Sequence, residues 1–269
     1  MQPVKVTRGN SPIVLGLPHS GTFVPEDIWN RLNETGRMLA DTDWHVDRLY
    51  DGLLPDATMV RANFHRYVID ANRDPSGASL YPGQNTTTLC PTTDFDGKPI
   101  YQDGQEPVAA EVEQRRSSCH TPYHDALASE IARVKALNGV AILYDCHSIR
   151  SEISFLFDGV LPDFNIGTNG GTTCAIEIEK PTVELTAKAP GYTSVLNGRF
   201  KGGWTTRHYG KPETGVHAIQ MELAQKTHLA TELSPFAYDE AKADALRHHL
   251  AAILRALETW ANENGGQAA

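Results

Sequence analysis

Short apolar runs separated by long segments of helical spacing constrain this chain more than any other feature of its sequence. The runs PIVLGL (12–17), TMVRANF (58–64), YVIDA (67–71), VAILY (140–144), ISFLF (153–157), YTSVL (192–196) and HAIQMEL (217–223) have strand length and strand composition. Between them, DWHVDRLYDGLL (43–54) repeats apolar residues at 46, 49, 50, 53 and 54, which is one helical face. Residues 107–139 form a long helical pattern, with Pro122 as a candidate break and Gly139 as its stop. Residues 234–263 read as a terminal helix begun by a Ser-Pro pair. Strands separated by helices of this length predict an α/β fold with a mixed, largely parallel sheet and helices on both faces, in a single domain over residues 1–269. In such a sheet, ligands collect at the carboxyl ends of strands. The segment 74–104 is too polar and turn-rich for core and too long for a simple connection, which suits a lid or a pocket wall.

A formal charge of −9 argues against unspecific affinity for nucleic acid or anionic membrane, while leaving room for a local cationic pocket around a small anion. The expected partner is a small molecule. No apolar run approaches the roughly 18 to 20 residues that cross a bilayer. The opening MQPVKVTRGNSP lacks the apolar core of a signal peptide, so a soluble, cytoplasmic protein is expected. Cys90, Cys119, Cys146 and Cys174 form no CxxC pair in a chain long enough to fold without staples, and reduced thiols are expected. Nothing in the pattern speaks to oligomeric state.

Chemistry-bearing side chains gather at the predicted strand ends. The first run leads into PHSG, with His19, and VAILY leads into DCHS, with His147. Two imidazoles from distant strands can meet at one sheet edge, and with a carboxylate they make a common catalytic metal set that leaves one position for water. The acid expected to complete the set is Asp43, at the head of the predicted helix, with Asp41 and Asp47 as alternatives. Asp145 shares the strand face of His147 and can orient an imidazole, whereas Cys146 faces the other way. A Cys146 nucleophile with a nearby base is the rival reading of DCHS.

HRYVIDANRDPSG places His65, Arg66, Asp70, Asn72 and Arg73 around one predicted strand and its exit. Arginine grips a carboxylate through two parallel hydrogen bonds and an adjacent amide can complete the recognition, so this stretch reads as an acid-binding pocket; an Arg–Asp pair fixing a turn is the structural alternative. In VHAIQMELAQ, alternation sets Glu222 with Gln220 and Ala218 on one strand face. A buried strand-end acid needs a partner or a task, and beside a metal-activated water that task is general base. NGRFKGGWTTRHYGKP (197–212) concentrates Asn197, Arg199, Lys201, Arg207, His208 and Lys211 in one glycine-rich loop, either a cationic rim for an anionic substrate or a solvated hairpin. His120, His124, His248 and His249 read as packing or surface residues.

Taken in order from about residue 11 to 225, PHSG, DTDWHVDRLYD, RYVIDANRDPSG, YDCHS, NGRFKGGWTTRHYGKP and VHAIQMELAQ resemble the N-formylglutamate amidohydrolase family, deformylases that end one route of histidine breakdown. That family is distantly similar to zinc carboxypeptidases and aspartoacylases. The resemblance therefore implies a phosphorylase/hydrolase-like fold with one divalent metal ion, zinc, held by two histidines and an acid. The DxNR pattern of those relatives appears here as Asp70, Asn72 and Arg73, their strand-end DxH as Asp145 and His147, and their catalytic glutamate as Glu222. One departure stands out. Those relatives place the acidic ligand three residues after the first histidine, where this chain has Thr22, and Asp43 is the implied substitute.

The implied activity is hydrolysis of N-formyl-L-glutamate to formate and L-glutamate. His19, Asp43 and His147 would hold the metal and Glu222 would act as base. Asn72 and Arg73 would hold a substrate carboxylate, Arg207 with His208 the second carboxylate or the oxyanion, and Asn197 joins them as a substrate contact. Two other functions compete: hydrolysis of another N-acyl acidic amino acid, and binding of an acidic amino acid without turnover.

Overall fold

Among the described residues, 2–80 and 83–267, the computed structural model contains a seven-stranded sheet. Its strands are β1 (Val4–Thr7), β2 (Ile13–Leu17), β3 (Thr58–Ala62), β4 (Ala141–Ile149), β5 (Phe164–Gly167), β6 (Ser194–Leu196) and β7 (Val216–Ala224), in spatial order β1-β3-β2-β4-β7-β5-β6. β3, β2, β4 and β7 run parallel in the centre. β1 joins one edge antiparallel; at the other, β5 pairs antiparallel with β7 and parallel with β6. The mixed, largely parallel sheet expected from the alternation of runs is the one that forms. The helices are α1 (Glu26–Trp29), α2 (Glu34–Arg37), α3 (Val46–Tyr50), α4 (Ala109–Arg115), α5 (Thr121–Asn138), α6 (Ile176–Ala187), α7 (Trp204–Tyr209) and α8 (Glu240–Asn264).

Successive side chains leave opposite faces of a strand, so each central strand feeds two cores. Leu15, Ile142, Tyr144 and Ile219 pack with Leu49 of α3 and Leu246 and Leu250 of α8. Val14, Leu143 and Ala218 pack on the other face against Tyr123, Leu127 and Ile131 of α5. β4 runs past the apolar stretch that announced it. Its ladder with β7 continues to Ile149, so Asp145, Cys146, His147 and Ser148 are buried members of the strand and not its exit.

Two apolar runs expected as strands, 67–71 and 153–157, are turns and loop. In the first, the Val68 N–H donates to the His65 carbonyl at 2.9 Å and the Arg73 N–H to the Asp70 carbonyl at 3.2 Å. In the second, the Leu156 and Phe157 N–H groups both donate to the Ile153 carbonyl. Val68, Ile69 and Ile153 are buried all the same, so the apolar pattern reported burial and not extended pairing. The edge strand β1, the strand β5 and the helix α6, which contains Pro181, lacked a pattern strong enough to be foreseen.

The long helical stretch is α4 and α5 joined by a π-helical turn at Arg116–His120. Pro122 lies just past the π-helical turn, and the backbone stays helical through His120 and Thr121, so it does not break the stretch. α8 begins at Glu240 with Asp239 as its cap, the carboxylate accepting the Lys242 N–H at 3.1 Å; the Ser-Pro pair lies outside the helix. The glycine-rich stretch expected as a loop contains α7. Segment 74–104, expected to be non-core, buries Leu89, Cys90, Phe95, Ile100 and Tyr101; its Tyr81 and Pro82 lie outside the described residues. All four cysteines are free and buried. Among the described residues no helix is long and apolar enough to cross a membrane.

Gly139 caps α5 at φ 78°, and a Cβ there would fall 1.7 Å from the Gly265 carbonyl oxygen, whereas Gly170 at φ 71° has open space around it. Gly139→Ala is expected to lower stability by more than about 2 kcal/mol, and Gly170→Ala by only about 1 kcal/mol of left-handed strain, as read by urea denaturation.

Candidate functional site

Three side chains from separate elements converge near the carboxyl ends of the central strands. His19 follows β2 by two residues and His147 lies on β4. Asp43 sits in the turn before α3, which starts at Val46, so it precedes the helix and does not head it. Its N–H donates to the His19 carbonyl at 3.1 Å, and its Oδ2 accepts the Ser148 N–H at 3.2 Å. The Nδ1 atoms of His19 and His147 stand 3.7 and 3.2 Å from that same oxygen. The ring centroids are 5.0 Å apart, and one donor atom from each residue lies within 4.8 Å of the others. All three residues are buried. The alternatives are engaged elsewhere: Asp41 Oδ2 accepts the Phe95 N–H at 2.9 Å, and Asp47 pairs with Arg61.

A carboxylate backs each imidazole. His19 Nε2–H donates to Asp70 Oδ1 at 2.7 Å, and His147 Nε2 stands 3.1 Å from Asp145 Oδ1. This leaves the Nδ1 atom of each ring on the side of Asp43, where His19 Nδ1 also lies 3.0 Å from Arg66 Nη2. Asp145 Oδ2 accepts the Thr206 hydroxyl at 2.9 Å, and Asp70 Oδ2 accepts Arg66 Nη2 at 3.1 Å.

Burial resists ionisation of Asp43, but the hydrogen bonds and charge of His147 and His19 overcome it and hold the carboxyl below its usual range. Burial likewise opposes ionisation of Asp70, which Arg73, Arg66 and His19 hold low. Burial would depress His147, yet Asp145 and Asp43 raise it well above the usual imidazole range. Glu222 is pushed up by burial against the pull of His147. The donor set fits a divalent cation. Asp43 Oδ1 is a buried oxygen with no hydrogen-bond partner, 3.7 Å from Arg66 Nη1, and two imidazoles with a carboxylate are donor types that a divalent cation takes.

A cleft opens over this group, with Arg66, Arg73, Arg199, Phe200, Gln220 and Glu222 in its walls. The β4–β7 register sets Glu222 beside His147 and Gln220 beside Asp145. Gln220 Nε2 donates to Glu222 Oε2 at 3.1 Å, and its Oε1 accepts the Gly203 N–H at 2.7 Å. Asn72 also lines the cleft, its Nδ2 3.1 Å from His147 Nε2 and its Oδ1 accepting the Thr205 N–H at 2.9 Å. A Cβ on Gly203 would fall 2.3 Å from Asn72 Nδ2, so the absence of a side chain there lets the start of α7 close over Asn72. Segment 74–104 supplies Asn85, Thr86, Thr87 and Phe95 to the wall, and Arg73 donates from Nε to the Thr87 carbonyl at 3.1 Å.

Three anticipated substrate contacts lie elsewhere. Asn197 spends its amide on Thr168, accepting the N–H at 2.9 Å and donating to Oγ1 at 2.8 Å. Arg207 Nε donates to the Gly202 carbonyl at 2.8 Å, and His208 stacks on Trp204 at 4.3 Å. The physical reason is α7, which buries Thr205 and Thr206 and leaves His208 exposed. Cys146 belongs to the core on the opposite sheet face, where burial pushes its thiol well up, so it is no nucleophile for this cleft. Arg199 is the member of the glycine-rich cationic stretch that reaches the cleft wall, and strand alternation is the signal that places Gln220 beside Glu222.

The family model of N-formylglutamate amidohydrolase matches residues 11–229. The chain belongs to the N-formylglutamate amidohydrolase family. Every cleft residue named above falls within the matched span. N-formylglutamate deformylases of Pseudomonas aeruginosa and Pseudomonas putida are 46% and 42% identical to this chain, each over 95% of it and 96% of their own length. The crystal structure of N-formylglutamate amidohydrolase from Ralstonia eutropha JMP134 has a TM-score of 0.79 at 25% identity, covering 98% of this chain and 99% of that one. A gene product of Agrobacterium tumefaciens, at 0.72 and 19% identity over 97% and 96% of the two chains, shares the fold.

Asp70 is fully buried and pairs with Arg66, itself buried, whereas Glu240 and Arg48 pair at the surface. Asp70→Ala strands a buried guanidinium and is expected to destabilise by about 3–5 kcal/mol, against at most about 1 kcal/mol for Glu240→Ala, as measured by chemical denaturation.

Proposed function

We propose that this protein hydrolyses N-formyl-L-glutamate to formate and L-glutamate. The observation that carries the reading is 46% identity, over 95% of the chain, to an N-formylglutamate deformylase. The site supports it, because a buried His–Asp–His group lies beneath a cleft walled by arginines, as a dicarboxylate amide requires. His19, Asp43 and His147 would hold a divalent ion, zinc being the one such a donor set favours, which would supply Lewis acidity toward the formyl oxygen and lower the pKa of water.

Glu222, on the strand beside His147, takes the proton of the attacking water and returns it to the departing amine nitrogen. Gln220 holds the carboxylate for that exchange. Asp70 and Asp145 keep the two imidazoles turned toward Asp43. Asn72 and Arg73 take one substrate carboxylate, and Arg199, the other arginine beside Phe200 on the wall, takes the second in place of Arg207 and His208. We assign the cytoplasm as its compartment, where free buried thiols such as these persist.

Metal analysis of the purified protein is expected to find one divalent ion per chain, and Asp43→Ala to lose it. Glu222→Gln is expected to keep the metal and the fold while formate release falls by about 10²–10⁴-fold. Full activity in that variant would refute the role given to Glu222. Wild-type protein that releases no formate from N-formyl-L-glutamate would refute the substrate.

A further inference from the structure

Behind the cleft wall, two histidines of the long helical stretch hold the backbone that carries Asn72 and Arg73. His124 Nε2 lies 2.7 Å from the Ala71 carbonyl oxygen and His120 Nε2 lies 3.1 Å from the Arg73 carbonyl oxygen. A carbonyl only accepts, so both rings present Nε2–H, and the two carbonyls flank Asn72. The imidazoles sit four residues apart on one helical face, with centroids 4.4 Å apart. His120 ends the π-helical turn between α4 and α5, and such widened turns recur at functional sites.

The surroundings favour the neutral form of each ring. Burial pushes His124 down to about 3 and holds His120 below the usual imidazole range. With Nε2 protonated, His124 Nδ1 is an acceptor, and the Tyr209 hydroxyl is shared between it at 3.0 Å and the His124 carbonyl at 3.2 Å. Trp204 packs against both rings, at 4.7 and 5.7 Å. Tyr209 and Trp204 belong to α7, the helix that also donates the Thr205 N–H to Asn72 Oδ1. Asn72 is thus held by α5 through its backbone neighbours and by α7 through its side chain.

We propose that His120 and His124 are positioning residues, a pair of neutral imidazole clamps that set residues 71–73 so that Asn72 and Arg73 meet a substrate carboxylate. The inference rests on the reading of Asn72 and Arg73 as substrate contacts. It assigns the clamps no contact with substrate or metal, so their loss weakens substrate capture and leaves the metal in place.

His124→Leu removes the donor at similar volume, while His124→Gln keeps an N–H at similar reach. With N-formyl-L-glutamate, His124→Leu is expected to raise KM about tenfold or more with kcat within about threefold and metal content unchanged, and His124→Gln to bring KM back within about threefold of wild type. A wild-type KM in His124→Leu, or equal impairment in both variants, overturns the proposal. Should His124→Leu fail to fold, long-range proton–nitrogen spectra of the wild-type protein labelled at histidine decide independently. Both residues are expected as Nε2–H tautomers at pH 8, and an Nδ1–H tautomer at either position overturns the clamp. That readout needs no substrate, so it fails separately from the functional reading, which fails if Arg73→Ala leaves KM unchanged.

Discussion

The buried carboxylate of Asp43 is the constraint from which the rest of the site follows. Removing a charge from water is costly unless partners replace the lost hydration. Here the replacement comes from the Ser148 N–H and two imidazoles, which can reach one oxygen only if β2, β4 and the turn before α3 meet in one arrangement. The demand then propagates. The imidazoles are backed by Asp70 and Asp145, two more buried acids, and these call for Arg66, Arg73 and the Thr206 hydroxyl. A centre of three residues thereby organises α7 and the turn at 67–73 around itself.

Strand register sets the proposed base beside that arrangement. The parallel pairing of β4 with β7 sets His147 beside Glu222 and Asp145 beside Gln220, all on the face that also packs α5. A slip of one residue would present Cys146 and Met221 instead, because strand side chains alternate with a period of two. The alternation explains how one strand can carry a proton-handling group on one face and an apolar core on the other. Cys146 is inert for the same reason that His147 is exposed to the cleft.

The cleft is assembled from segments that individually look like surface. Segment 74–104 contributes Thr87 and Phe95 because its apolar residues anchor it to the core, which leaves its polar ones facing inward. The glycine-rich stretch closes over Asn72 because Gly203 has no side chain to collide with it. Helix formation at α7 then turns that stretch from a flexible rim into a support, and it separates Arg199, on the cleft wall, from Arg207 and His208.

Sequence by itself determined the α/β class, the largely parallel sheet and the strand placement of His147 and Glu222, since period-two alternation and short apolar runs are local properties of the chain. It also picked out His19 and Asp43, although with Asp41 and Asp47 as rivals for the acid. Only the tertiary structure decided among those three aspartates, because the decision depends on which carboxylate two distant imidazoles can reach. It likewise decided that 67–71 and 153–157 are not strands, since apolar content records burial and not hydrogen-bonded pairing. The roles of Arg199, Gln220, His120 and His124 were hidden for a related reason: each is defined by a partner far away in the chain, and no local pattern encodes the distance between them.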